Sequence, residues 1–463
     1  MTKHVFLLLY ALAISVNAFA VDIDLQEVID AGLPVMYVET VNGELPTYRS
    51  VSSPPGMNGT GITDATKVPG RVRIELKDGT TLFDSGEYEA KTSGMTIKVR
   101  GNTSAHEPKK PFKIKLQKKA DMLARGDDAK YADKNWILVK DESLKYKFGF
   151  KVNELMGLQW TPQYRYVNLV FNGEYRGVYM LLESVERNTK CRLDVDKSGY
   201  IFELDAYWWN EDKYFSSSLS PQMNYTYKYP DPDDLTEEQN DYIQHVVDVA
   251  EASLTEGTYP DYLDIESFAQ WVLGHDILGN AEPAGSNIFF TKYDNTDESK
   301  IRMANLWDFD KVMLATGWDH AHNNYYWSIL FKSPNKAFGR CYKKLWNELK
   351  TTVFDDLDLY LDEFANSEEA AAFDKSIELD NQRWNRSIGS TEQSIGTIKS
   401  WLEKREPWLE YYVTTISDKD ATGIAEVRDT DDTEPIYYTL TGLRVEKPTK
   451  GIYIRNGVKY VNW

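Results

Sequence analysis

NAEPAGSNIFFTKYDNTDESKIRMANLWDFD, residues 280–310, sets an acid, Glu282, five positions before an amide, Asn287, and a pair of acids, Asp308 and Asp310, around Phe309. The β-rich run between them predicts a hairpin. All four polar groups offer oxygen. A hard cation such as Mg²⁺ prefers oxygen ligands and takes one or two carboxylates, with phosphate oxygens completing its shell. Asn287, Asp308 and Asp310 can supply that set, and Glu282 can orient or deprotonate a hydroxyl nucleophile. Read alone, a capped turn and a satisfied loop account for the same residues better than a metal site does.

A second segment changes the weighting. The protein is acidic overall, with a formal charge of −19, yet residues 95–119 hold Lys98, Arg100, Lys109, Lys110, Lys113, Lys115, Lys118 and Lys119 against one acid, Glu107. Phe112, Ile114 and Leu116 alternate with Lys113 and Lys115, which predicts a strand with one apolar and one cationic face. Lys113 or Lys115 would meet phosphates from such a strand; an edge strand guarded by lysine has the same pattern. Arg100-Gly101-Asn102 offers a cation and open backbone to an anion, or is simply a tight turn. Glu183 and Glu186 end a later strand, where either can pair with a lysine; a surface acid is the plainer reading of Glu186. His320 and His322 lie two apart, but zinc needs three or four ligands and the chain has 6 His and 2 Cys, so no zinc site is expected. The sequence contains neither a Gly-x-Ser-x-Gly elbow nor a Walker loop, and it singles out no acid pair for glycoside hydrolysis.

Around these segments the 463-residue chain is 42% hydrophobic and 13% aromatic, ample for a buried core. Its acidity argues against nucleic-acid binding. Residues 1–20 predict a signal peptide: Lys3, the apolar run Val5 to Val16, then Ala18-Phe19-Ala20. The run is too short to span a membrane, and no other apolar run approaches that length. The expected location is therefore outside the cytoplasm: periplasm, cell surface or medium. Cys191 and Cys341 permit one disulfide there.

Strands are expected at 35–38, at 71–76 before a Lys77-Asp78-Gly79 turn, at 166–171 and 177–183 around the hairpin signal Asn172-Gly173, and at 201–204. Asp141-Glu142-Ser143 opens a helix with a stripe of Leu144, Phe148, Val152, Leu155 and Met156. Thr236 to Gln239 is a capping box. A helix from Asp264 to Gly279 and others near 337–352, 354–365, 367–384 and 390–411 follow. The expected fold is α+β: a β-rich first lobe at about 21–230 and a helical second lobe at about 231–416. An acidic linker at 417–435 and a short β tail at 436–463 end the chain.

Four segments taken together resemble the CotH kinase family: VRGNTSAHEPKKPFKIKL (99–116), KNWILVKDESLKYKFGFKVNELMGL (134–158), VNLVFNGEYRGVYMLLESVE (167–186) and NLWDFDKVMLATG (305–317). The resemblance implies a two-lobed, atypical protein-kinase-like fold. It implies transfer of phosphate from ATP, with Mg²⁺ or Mn²⁺, to Ser or Thr of a protein. Asp308 falls on the metal-binding acid and Asn287 on the metal-side amide. Glu282 falls where active relatives carry a catalytic Asp, a departure that adds a methylene. The nucleotide side would use Arg100, Lys113, Lys115 and Glu183. The tail resembles C-terminal segments of exported proteins from Bacteroidetes-type bacteria, as a sorting signal would; a small hairpin packed on the main domain is the other reading. The competing function is a kinase-fold module with weak or no chemistry that binds a surface polysaccharide or an envelope protein.

Overall fold

The alternation through Phe112, Ile114 and Leu116 builds one wall of a closed barrel. In the computed structural model, residues 22–57, 59–218, 222–283, 285–315 and 320–420 are described, with 437–439, 444–445, 449–455 and 458–462 of the tail. The expected signal peptide and most of the expected linker lie outside the described residues. No helix among those described is long and apolar enough to cross a membrane. Content is mixed, with a β-rich first part and helices dominating the later part. Packing divides the chain into two units. One takes residues up to Lys147, Pro162–Val185 and Asp358–Lys399; the other takes Phe148–Thr161, Glu186–Leu357 and everything from Ser400. The sequence reading placed one division near 230.

In the first unit, strand Val35–Thr40 pairs in parallel with Tyr164–Phe171 and antiparallel with Val68–Glu75. That double pairing closes the order Val35–Thr40, Tyr164–Phe171, Glu174–Glu183, Asp133–Val139, Phe112–Ala120, Met95–Val99, Val68–Glu75 into a seven-stranded barrel. Sequence reading supplied most of these strands and missed the closure, because closure depends on partners far apart in the chain. The interior is filled by Met36, Val38, Val72, Ile74, Ile97, Ile114, Trp136, Leu138, Leu169 and Leu181, all fully buried. Successive strand residues face opposite sides, so Lys113 and Lys115 stand on the outer face. Asn172 (φ 50°) and Gly173 (φ 80°) make the expected tight hairpin turn, a geometry that Asn-Gly favours. Helix Glu368–Trp384 packs on strand Glu174–Glu183. There Arg383 Nε donates to the Tyr175 carbonyl at 2.9 Å and Val178 N donates to Asp380 Oδ2 at 2.7 Å.

The helix expected from 141 starts at Lys145. Leu144 adopts φ 59°, and the Asp141 carboxylate accepts from Tyr146 N and Lys147 N, both at 3.1 Å.

The second unit holds an antiparallel sheet in the order Tyr214–Ser216, Asn224–Tyr229, Tyr200–Leu204, Ile288–Lys292, Ile301–Met303. One face is aromatic: Phe202 stacks on Phe290 at 5.3 Å, and Trp271 stacks on Trp327 at 4.3 Å nearby. Helix Glu237–Glu256 begins with the expected capping box of Thr236 and Gln239. Helix Ile265–Leu278 runs from an Asp264 cap to Gly279. The tail forms its own four-stranded sheet. No disulfide joins Cys191 to Cys341; burial pushes the Cys341 thiol up to about 11.

Candidate active site

Helix Ile265–Leu278 stops where Gly279 takes φ 54°. A Cβ at Gly279 would meet the Trp401 ring at 2.1 Å, so the left-handed cap and the close ring both require glycine. Beyond the cap the chain is laced to residues 311–315. Met313 N donates to Leu278 O at 2.8 Å, Ala315 N to Gly279 O at 3.0 Å and Ala281 N to Lys311 O at 3.0 Å. Arg405, buried against Trp408 with its guanidinium 3.8 Å from the ring centroid, donates to the carbonyls of Asp276 and Ala315.

This lacing brings the predicted acids of the second unit together. Asn287 Nδ2 donates to Asp308 Oδ2 at 2.9 Å. Both residues are left-handed, Asn287 at φ 59° and Asp308 at φ 57°, a conformation that Asn and Asp tolerate better than other non-glycine residues. Asn280, 1% exposed, donates from Nδ2 to the Asp308 carbonyl at 2.8 Å and accepts from Glu282 N at Oδ1 at 3.0 Å. One amide thus spaces the two acids. Glu282 forms an ion pair with Lys311 at 3.0 Å. Asp308 is half-buried and Asp310 is exposed.

The acidic turn is anchored from beneath. Leu306 N donates to Asn153 Oδ1 at 2.7 Å. Phe309 is fully buried, edge-on to Phe150 at 5.3 Å, over Gly149, where a Cβ would meet its ring at 2.3 Å.

The predicted cations belong to the barrel unit. Lys113 is half-buried opposite Lys98 and Ile137, and Lys115 is exposed opposite Thr96 and Asn135. Arg100 directly follows strand Met95–Val99, with its N–H on Pro111 O at 3.1 Å. Glu183 is not beside them. It pairs with Trp136 across the ladder, on the inner face, and is fully buried. The lysine partner expected for it is instead Arg125, whose Nη1 donates at 2.9 Å, with Gln163 N donating at 3.1 Å. Strand parity is the reason: Glu183 shares a side with Ile114, and Lys113 and Lys115 point the other way. Glu186 lies 4.0 Å from Arg192.

Sequence reading gave no role to one of the barrel unit's buried lysines. Lys109, 2% exposed, pairs with Glu142 at 2.8 Å and with Asp380; Arg386 completes the network by donating to Glu142 and Asp380. No local pattern marks Lys109 among the eight cations of residues 95–119, because its partner Asp380 is 271 positions away.

Among the described residues no three His, Cys, Asp or Glu side chains converge on one point. The pair Asn287 and Asp308 still fits a hard cation shared with phosphate. Asn287 commits its N–H to Asp308, which leaves its amide oxygen as the ligating atom beside a carboxylate. Two clefts, of about 400 Å³ beside Arg383 and about 390 Å³ beside Trp346, involve none of the predicted residues.

A family model described as CotH kinase protein matches residues 97–409. The chain belongs to the CotH kinase family. No curated protein matches it. The CotH span takes in the cations at 100, 113 and 115 and the acids at 282, 308 and 310, and it begins after strands Val35–Thr40 and Val68–Glu75, which close the barrel.

Proposed function

We propose that this CotH-family chain is an exported, atypical kinase of two kinase-like lobes. It would transfer phosphate from ATP to Ser or Thr of a protein, at the envelope or outside the cell. One observation carries the reading: the hydrogen bond between Asn287 and Asp308, made by two left-handed residues. A carboxylate held by the amide N–H of Asn287, with the amide oxygen left to ligate, would be the protein's share of a metal–phosphate site.

Asn287 and Asp308, with Asp310 beside them, would hold Mg²⁺ or Mn²⁺, which when bound neutralises phosphate charge. Glu282 would orient the acceptor hydroxyl and take its proton. The hydroxyl oxygen bonds to the γ-phosphorus, the bond from that phosphorus to the bridging oxygen breaks, and ADP leaves with the electron pair. Lys113, Lys115 and Arg100 stand in the barrel unit as the cations proposed for the nucleotide side. Glu183, committed to Arg125, would act there only by bracing the barrel end. Positioning and charge do most of the work in such transfers.

The test is a thermal shift with ATP plus Mg²⁺ or Mn²⁺, beside transfer of labelled phosphate to Ser/Thr acceptors. A metal-dependent shift and transfer that Asp308→Ala abolishes would support the reading. Absence of a nucleotide shift, with a shift on a panel of surface polysaccharides, would replace it by the binding-module reading.

A further inference from the structure

Lys311 is the cation of this turn, and sequence reading gave it no role. It follows Asp310 in the turn closed by Val312 N on Phe309 O at 3.3 Å. Its own carbonyl accepts from Ala281 N at 3.0 Å, so the base of the side chain is tied to the loop that carries Glu282. Its ammonium sits 3.0 Å from Glu282 Oε2, with the lysine side chain 56% exposed and the glutamate 27% exposed. One flexible cation therefore holds the Glu282 carboxylate.

That arrangement has two consequences. A carboxylate holding an ammonium is not yet receiving a hydroxyl proton, so Glu282 must be released before it can act. And a polyphosphate brought beside Glu282 needs positive charge on that side of the turn. An exposed ion pair is weak and exchanges readily. A terminal phosphate, with more charge than one carboxylate, competes well for a strongly hydrated point charge on a four-carbon stem.

We propose that Lys311 is a catalytic residue of the phosphotransfer described above. At rest it holds Glu282. When ATP enters, its ammonium moves to the terminal phosphate, which frees Glu282 for the acceptor hydroxyl. The assignment rests on that reading of the site.

The experiment titrates the full chain, Lys311→Met and Lys311→Arg with Mg–ATP and with Mg–ADP by calorimetry, with labelled transfer measured in parallel. The wild type is expected to prefer ATP over ADP. Lys311→Met should lose roughly tenfold of that preference, about the worth of one charge-assisted contact, and Lys311→Arg should keep most of it. An unchanged ATP/ADP ratio in Lys311→Met overturns the assignment even if transfer persists, and so does a wild type that binds neither nucleotide. A preference that depends on Lys311 in a protein that never transfers phosphate would leave Lys311 as a contact to the terminal phosphate and overturn its catalytic role together with the kinase reading.

Discussion

Asn280 spends one side-chain amide on two acids, accepting from the Glu282 backbone and donating to the Asp308 carbonyl. Asn280→Ala leaves both backbone groups without that partner, at about 1–3 kcal/mol, and lets the acids drift. A misplacement of about 1 Å costs on the order of 10²-fold in rate. Phosphotransfer should therefore fall by about that factor, while the thermal midpoint moves only a few degrees. A titration gives a second prediction. Burial outweighs the hydrogen bonds from Tyr166, Tyr146 and Lys147 and pushes the Asp141 pKa up to about 6 from 3.8. The folded state then holds a proton that the unfolded chain has released, so stability falls as pH rises from about 4 to about 6, by about 3 kcal/mol in total. Urea midpoints of Asp141→Asn relative to wild type should rise across that range, because the variant lacks this one falling contribution. At this scale the sequence announced Glu282, Asn287 and Asp308 by type and spacing. It did not announce Asn280 or Lys311, since an amide after a helix and an exposed lysine are commonplace, and it misplaced Glu183 because parity across a barrel wall depends on register.

Element by element, local chemistry was readable wherever neighbours in sequence decide it. The capping box at Thr236, the Asn172-Gly173 turn, the Asp264 cap and the Gly279 stop all form as their residue types require. Gly279 supplies the sharpest test. Alanine there must hold φ 54° and meets the Trp401 ring at 2.1 Å. Gly279→Ala should lose at least about 1 kcal/mol by urea denaturation, and activity should fall further than stability, because the displaced turn carries Asn280 and Glu282. What local chemistry did not reveal was which strands meet. Val35–Thr40 finds Val68–Glu75 on one side and Tyr164–Phe171 on the other, and nothing within its six residues names either partner.

Over the whole molecule, the division into units was hidden for a topological reason: the chain passes from one unit to the other five times, after residues 147, 161, 185, 357 and 399. A single cut cannot describe such a path. The family span begins at 97, so a fragment of residues 97–409 lacks strands Val35–Thr40 and Val68–Glu75 and should be recovered unfolded or insoluble; a soluble fragment with native circular dichroism would refute the dependence on closure. Asp380 joins distant parts of the barrel unit in the same way. Asp380→Ala leaves Lys109 buried beside Glu142 alone and should cost about 3–5 kcal/mol.

Closure also governs how the protein meets its neighbours. An open sheet ends in rows of unmet amides onto which a second chain can zip, and a wall that returns to its own first strand has no such margin. The short strand Thr81–Asp84 hangs outside the ring, too brief to seed a ribbon. At high local concentrations, the barrel unit should resist strand-to-strand fibre growth for as long as Val35–Thr40 stays in its seam.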